Sequence, residues 1–391
     1  MQRYIARLLL ISIALLAVVT GGLAQNWIVE EAPEWTAMLD QHSGWTGADG
    51  IYSIPVDGND QIGAWHENQT LFIFSDTFIG DVDGNGQRLN GTTMINNTMA
   101  YLAPGVLNPD SIRFLYRHPN SNPESMFLPN TPNSDPDEYY WFTDGISLTS
   151  GVYLIAHRMR PGGGLGFARD GVSMVRIPAG STLPFTNYQQ YELPFFADAN
   201  DDHGDIAFGN AIMANTVRAG APNPDGYIYI YGLDEVPFDK HLLVARVPEN
   251  QFPNFNQWRF WDGQNWVPDF LQAAHLTNRV SSEHSVTPLP DGRFIMVFTV
   301  DTITRTIGFR VGPSPRGPWS ITHPIYTSTV PDDFPDADVW CYNAKAHPSL
   351  SEPGELLISY NLNCIDFWDH FQYADIYRPR FIRLIYTGDR F

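Results

Sequence analysis

Apolar residues in this chain fall in short runs. Thr70-Leu71-Phe72-Ile73-Phe74, Tyr227-Ile228-Tyr229-Ile230-Tyr231, His241-Leu242-Leu243-Val244-Ala245 and Phe294-Ile295-Met296-Val297-Phe298 are typical. Each is rich in aromatic or branched residues, and Gly, Pro, Asn or Asp stand close by. Sustained helical periodicity is nearly absent. Runs of this length and composition, set between turn residues, predict strands, so the chain reads as all-β.

A larger unit recurs. A polar stretch leads into an apolar strand, a Pro/Asp/Gly turn follows, and a second apolar strand returns. The clearest copy is Ser281–Phe298, with the turn at Pro290-Asp291-Gly292. Other copies begin at Gly47-Ala48-Asp49-Gly50, Trp141-Phe142-Thr143-Asp144-Gly145, Asp205–Asn210 and Asn343–His347. This spacing predicts a five-bladed β-propeller, with blades near 45–102, 139–190, 205–262, 281–326 and 342–388. Two β-sandwiches would use the same turn signals. In a propeller the innermost strands start around one central pocket. Asp49, Asn210, Glu283 and His347 would then meet there.

Composition narrows the setting. The 391 residues carry a formal net charge of −20. That disfavours nucleic acid and anionic membranes as partners, because both need a basic footprint. Residues 1–24 read as a secretory signal: Arg3 and Arg7, an apolar run Leu8–Val19, then Gly22-Leu23-Ala24 as a cleavage site. The expectation is a secreted monomer, extracellular or periplasmic, with an N-terminal segment 25–44 and a propeller domain 45–391. Cys341 and Cys364 flank a hairpin whose turn is Ser351–Gly354, and symmetric pairing would place them opposite each other as a disulfide.

The candidate chemistry lies at the strand heads. Glu283 and Asp49 are the leading carboxylates, with Glu283 as general acid and Asp49 activating water or attacking an anomeric carbon. Asp49 precedes Gly50, and Asp-Gly is also a common turn pair. Asp76, closing an apolar run, is a third catalytic candidate. Asn210, His347, Lys345, Asp144 and Trp141 are candidate carbohydrate contacts; Lys345 and His347, two apart, share one side of a strand. Asp81, Asp83 and Asn85 alternate as oxygen ligands do in a calcium loop, but position 92, where such a loop closes with Glu, is Thr. No other cofactor is called for.

Several segments carry a family resemblance: Gly47–Gly50, Phe72–Phe78, Ser282-Glu283-His284, Gly312–Trp319, and Ala346-His347-Pro348 with Leu356–Asn361. They resemble the five-bladed β-propeller glycoside hydrolases typified by glycoside hydrolase family 43. The resemblance implies an Asp base at Asp49, a Glu acid at Glu283, and His347 beneath the substrate or near a central ion. It also implies a tuning Asp on a middle blade, where this chain has Asn210. The implied activity is hydrolysis of polysaccharide or oligosaccharide, with arabinan-like substrates foremost. The alternative is a propeller that binds glycan or protein at the cell surface without catalysis.

Overall fold

The computed structural model describes residues 27–388, apart from 164–165, 237–238, 302–303, 332–333 and 335–337. The expected signal, 1–24, lies outside the described residues. The chain is all-β, and its sheets are antiparallel throughout. No described helix is long and apolar enough to cross a membrane.

Five sheets have four or more strands among the described residues. The first joins Tyr52–Pro55, Thr70–Phe74, Thr98–Leu102 and Ile112–Leu115. The second joins Tyr139–Leu148, Gly151–Pro161, Phe167–Pro178 and Gln189–Glu192. The third is built on Asp205–Asn215, Tyr227–Val236 and Asp239–Pro248, with short strands at both edges. The fourth joins His284–Pro288, Phe294–Thr299, Thr306–Gly312 and His323–Thr327. The fifth joins Trp340–Ala346, Glu355–Asn363, Arg380–Tyr386 and Trp27–Glu31. The segment expected to precede the domain thus supplies a strand to the sheet made by the chain's end. A smaller sheet, Ser43–Ala48 with Thr77–Asp81 and Thr93–Ile95, adjoins the first.

Each apolar core cluster is shared by two successive sheets. One joins Ile54 and Leu71 to Phe142 and Leu154, and the next joins Ile155 and Met174 to Phe208 and Ile230. Tyr231 and Val244 then pack with Met296 and Phe298, and Val297 and Phe309 with Ile358 and Leu362. The cycle closes where Leu357 and Phe381 pack with Phe72 and Phe74. A strand between two neighbouring sheets is buried on both faces. That is why the runs read as continuous apolar stretches without alternation: Thr70–Phe74 is buried at every position. Each large side chain so enclosed contributes about 1.5–3 kcal/mol.

Three strands break their ladders at bulges beside candidate site residues. Pairing skips Thr143 in Tyr139–Leu148, Gly209 and Asn210 in Asp205–Asn215, and Asn343 and Ala344 in Trp340–Ala346. Gly209 has φ +116° and Asn343 φ +60°, both in the left-handed region. Such bulges re-aim the side chains beside them. Here those side chains are Asp144, Asn210 and Lys345.

The register of the fifth sheet decides the cysteine question. Lys345 pairs with Ser359, one residue off symmetric, and the bulge adds one more, so Cys341 faces Leu362, and Cys364 lies one residue beyond the strand's end at Asn363. The expected disulfide is therefore absent, and both residues are buried. Burial pushes the Cys341 thiol up to about 12. The Cys364 thiol donates to the Asp366 carbonyl at 3.3 Å.

Candidate active site

Asp49 follows the strand Ser43–Ala48 and is tied to the neighbouring turn by its backbone. Its N–H donates to the Asp76 carbonyl at 3.1 Å, and its carbonyl accepts from Ser75 N–H at 2.9 Å. Gly50 makes this approach possible, since a Cβ there would sit 2.8 Å from Ser75 Oγ. Two phenols converge on Asp49 Oδ2: Tyr342 at 3.0 Å and Tyr377 at 2.8 Å. Asp49 Oδ1 is buried and has no hydrogen-bond partner among the described residues. Burial, then the charges of Asp76 and Glu283, raise the Asp49 carboxyl well above the usual carboxylate range, against the pull of the two phenols.

Asp76 is the second carboxylate. Its Oδ1 accepts from Trp141 Nε1 at 2.8 Å and from Asn96 Nδ2 at 3.0 Å. Burial pushes it up to about 6 despite these donors. Trp141, expected as a sugar contact, thus has its indole N–H engaged with Asp76.

Glu283 enters from the head of His284–Pro288. The Lys345 ammonium donates to Glu283 Oε2 and lies 3.8 Å from the centre of the Tyr52 ring. Lys345 is 2% exposed and Glu283 17%. Burial lowers the Lys345 ammonium, while Glu283, Asp144 and Asp49 act to hold its proton. Asn210 is 1% exposed, and its Nδ2 donates to the Ser282 carbonyl at 3.0 Å. It therefore acts on the segment that carries Glu283 and is withdrawn from the pocket surface.

Below this cluster, Asp144 lines a cavity together with Asp60, His284 and Lys345. Backbone N–H groups of Gly145 and Ile212 donate to Asp144 at 2.7 and 2.5 Å. Burial nonetheless pushes its carboxyl up to about 7. His347, expected to touch the sugar, is also 1% exposed. Its Nδ1 bonds the Ser53 hydroxyl at 2.8 Å and its Nε2 the Ser359 hydroxyl at 2.7 Å. With both nitrogens occupied it braces the first and fifth sheets and offers no free atom to a ligand. Burial, then Lys345, lowers it to about 3, so it is neutral.

The acidic loop takes another form than expected. Asp83 Oδ1 accepts from the N–H groups of Asn85 and Gln87 at 2.8 and 2.9 Å, and Asp81 Oδ1 accepts from Ser43 Oγ at 2.6 Å. These bonds make a self-satisfied turn. Among the described residues no three His, Cys, Asp or Glu side chains gather as a metal site.

Sequence reasoning missed the phenols. Tyr342, Tyr377 and Tyr52 sit among apolar neighbours, where a tyrosine reads as core. What distinguishes Tyr342 and Tyr377 is their shared hydroxyl partner Asp49, up to 328 residues away, and what distinguishes Tyr52 is the Lys345 ammonium over its ring.

Fold and site define an all-β protein with three carboxylates and a lysine at one centre. The chain belongs to the family described as Domain of unknown function (DUF5005), whose model matches residues 33–386. No curated protein matches it. A crystal structure from Bacteroides ovatus, provisionally described as a hydrolase, is similar with TM-score 0.71 and 20% identity, covering 94% of this chain and 92% of that one. At that identity the likeness shows the fold alone. An α-L-arabinofuranosidase from Podospora anserina in complex with cellotriose has TM-score 0.42 and 12% identity over 88% of this chain and 98% of that one. The GH43_1 enzyme from Xanthomonas citri, complexed with xylose, has TM-score 0.44 and 13% identity over 93% and 91%. These last two are too distant to bear on mechanism.

Proposed function

We propose that this chain is a secreted glycoside hydrolase on a five-bladed β-propeller, with Asp49 and Glu283 as its reacting groups. The closed cycle of five shared cores supports the propeller. One observation carries the chemistry: the raised Asp49 carboxyl shares its enclosure with Glu283, which accepts from Lys345. One group holds a proton while its neighbour is set up to receive one, as glycosidic cleavage requires.

In this reading Asp49 gives its proton to the leaving oxygen as the glycosidic C–O bond breaks. The new carboxylate is stabilised by the Tyr342 and Tyr377 hydroxyls already aimed at it. Glu283 takes the proton of the attacking water, or bonds the anomeric carbon first and is then released by water. These roles are the reverse of those the family resemblance implied, because the phenols surround Asp49 and the ammonium lies on Glu283. Burial, and then the charge of Asp76, keeps Asp49 protonated. A neutral arabinan-like polysaccharide is the foremost substrate.

The test is product release from soluble arabinan, xylan, galactan and levan by wild type, Asp49→Asn and Glu283→Gln. Wild type is expected to release sugar from at least one, and each variant to lose about 100-fold or more. Full activity in either variant would refute the assignment.

A further inference from the structure

The fifth sheet carries a feature that the reacting groups do not use. Trp340–Ala346 carries Tyr342 and Lys345 to the site, Glu355–Asn363 runs antiparallel to it, and the connection 364–379 that follows brings Tyr377 back to Asp49. This connection exposes an apolar surface: Ile365 is 76% exposed, Trp368 67% and Phe367 44%.

Backbone bonds tie this connection to the rest of the fold. The Arg88 guanidinium donates to the His370 carbonyl, Arg88 N–H donates to the Phe371 carbonyl at 2.8 Å, and Ala374 N–H to the Gly86 carbonyl at 2.9 Å. Asp366 Oδ1 accepts from Trp368 N–H at 2.9 Å. It is also continuous with the site. Trp368 lies 5.5 Å from Phe371, Phe371 5.5 Å from Phe78, and Phe78 5.3 Å from Tyr377, centre to centre. Tyr377 is the residue whose hydroxyl donates to Asp49.

We infer that Ile365, Phe367 and Trp368 form a stacking platform for a distal sugar unit of a neutral polysaccharide whose cleaved bond lies at Asp49. An indole offers a flat apolar face to a sugar ring and, with only two side-chain torsions, loses little conformational freedom on binding. Asp366 and Asp369 flank the platform in a chain of net charge −20, which disfavours an anionic glycan. The inference rests on the glycosidase reading for its choice of occupant.

The experiment is native affinity electrophoresis of the full chain in gels containing arabinan, xylan, galactan or levan. Wild type, Trp368→Ala, Trp368→Phe and Asp49→Asn are compared, with light scattering on each. At 67% exposure Trp368 is replaceable without loss of fold. The expected result is retardation of wild type by at least one polysaccharide, weakened about tenfold in Trp368→Ala. Trp368→Phe should restore part of it, and Asp49→Asn, which leaves the polysaccharide uncleaved, should still be retarded. Equal retardation of wild type and Trp368→Ala would overturn the platform, as would no retardation by any polysaccharide. So would a dimer that Trp368→Ala dissociates, since the surface would then serve a second copy. Trp368-dependent retardation without product release by wild type would leave the platform standing and remove the hydrolase.

Discussion

Tyr377 and Asp49 are 328 residues apart in the chain, and the Tyr377 hydroxyl donates to Asp49 Oδ2 at 2.8 Å. That bond favours the charged carboxylate, while burial and two nearby acids favour the neutral one. Tyr377→Phe should therefore raise Asp49 further. If Asp49 acts as proton donor, the alkaline limb of the kcat/KM profile moves to higher pH. Movement of the acid limb instead would make Asp49 the base.

Lys345 is the only described cation bonded to Glu283. Lys345→Met should lower stability by about 3 kcal/mol, the lower end for breaking a buried pair, because Glu283 keeps some exposure. It should also cut kcat/KM by about 100-fold or more. Urea titration and steady-state kinetics measure the two effects separately.

Gly47 lies under the Tyr377 backbone. A Cβ there would meet the Tyr377 carbonyl oxygen at 2.3 Å and Arg88 Nη2 at 2.6 Å. Gly47→Ala should cost about 1–3 kcal/mol, as overpacking does. Because the clash displaces Tyr377, activity should fall beyond the stability loss. Chemical denaturation beside an assay at a temperature where the variant is folded tests this.

Burial pushes the Asp144 carboxyl up to about 7 in the fold, against about 3.9 in the unfolded chain. Between those values the folded chain binds more protons, so this group's contribution to stability is full below about pH 4 and is lost as pH rises through about 7. The stability of wild type relative to Asp144→Asn should shrink over that window. A constant difference from pH 4 to 8 would show that Asp144 is not raised.

Much of this was legible in the sequence, and the gaps have physical causes. The all-β reading followed from short aromatic and β-branched runs, and burial on both faces explains their lack of alternation. Glu283 and Asp76 stood out because charged groups beside apolar runs need partners, Asp49 because small residues flank it at a strand head, and Lys345 because it shares a strand side with His347. The cysteine pairing failed because the strands pair one residue off symmetric, Lys345 with Ser359, and the bulge at Asn343 and Ala344 shifts the register by one more. Strand Trp27–Glu31 was missed because its partner, Arg380–Tyr386, lies at the other end of the chain. His347 and Asn210 were expected to touch the sugar, and the fold buries both. Their bonds to Ser53, Ser359 and the Ser282 carbonyl depend on contacts that no local pattern records.

The proton-donor role of Asp49 is tested most directly by the leaving group. The measurement compares Asp49→Asn and Glu283→Gln on the polysaccharide the wild type cleaves and on a dinitrophenyl glycoside of the same sugar, whose leaving group departs without a proton. The account predicts that Asp49→Asn loses about 100-fold or more on the polysaccharide and less than about tenfold on the aryl glycoside. Glu283→Gln should be impaired on both. Equal loss of Asp49→Asn on the two substrates, or sparing of Glu283→Gln on the aryl glycoside, would contradict it.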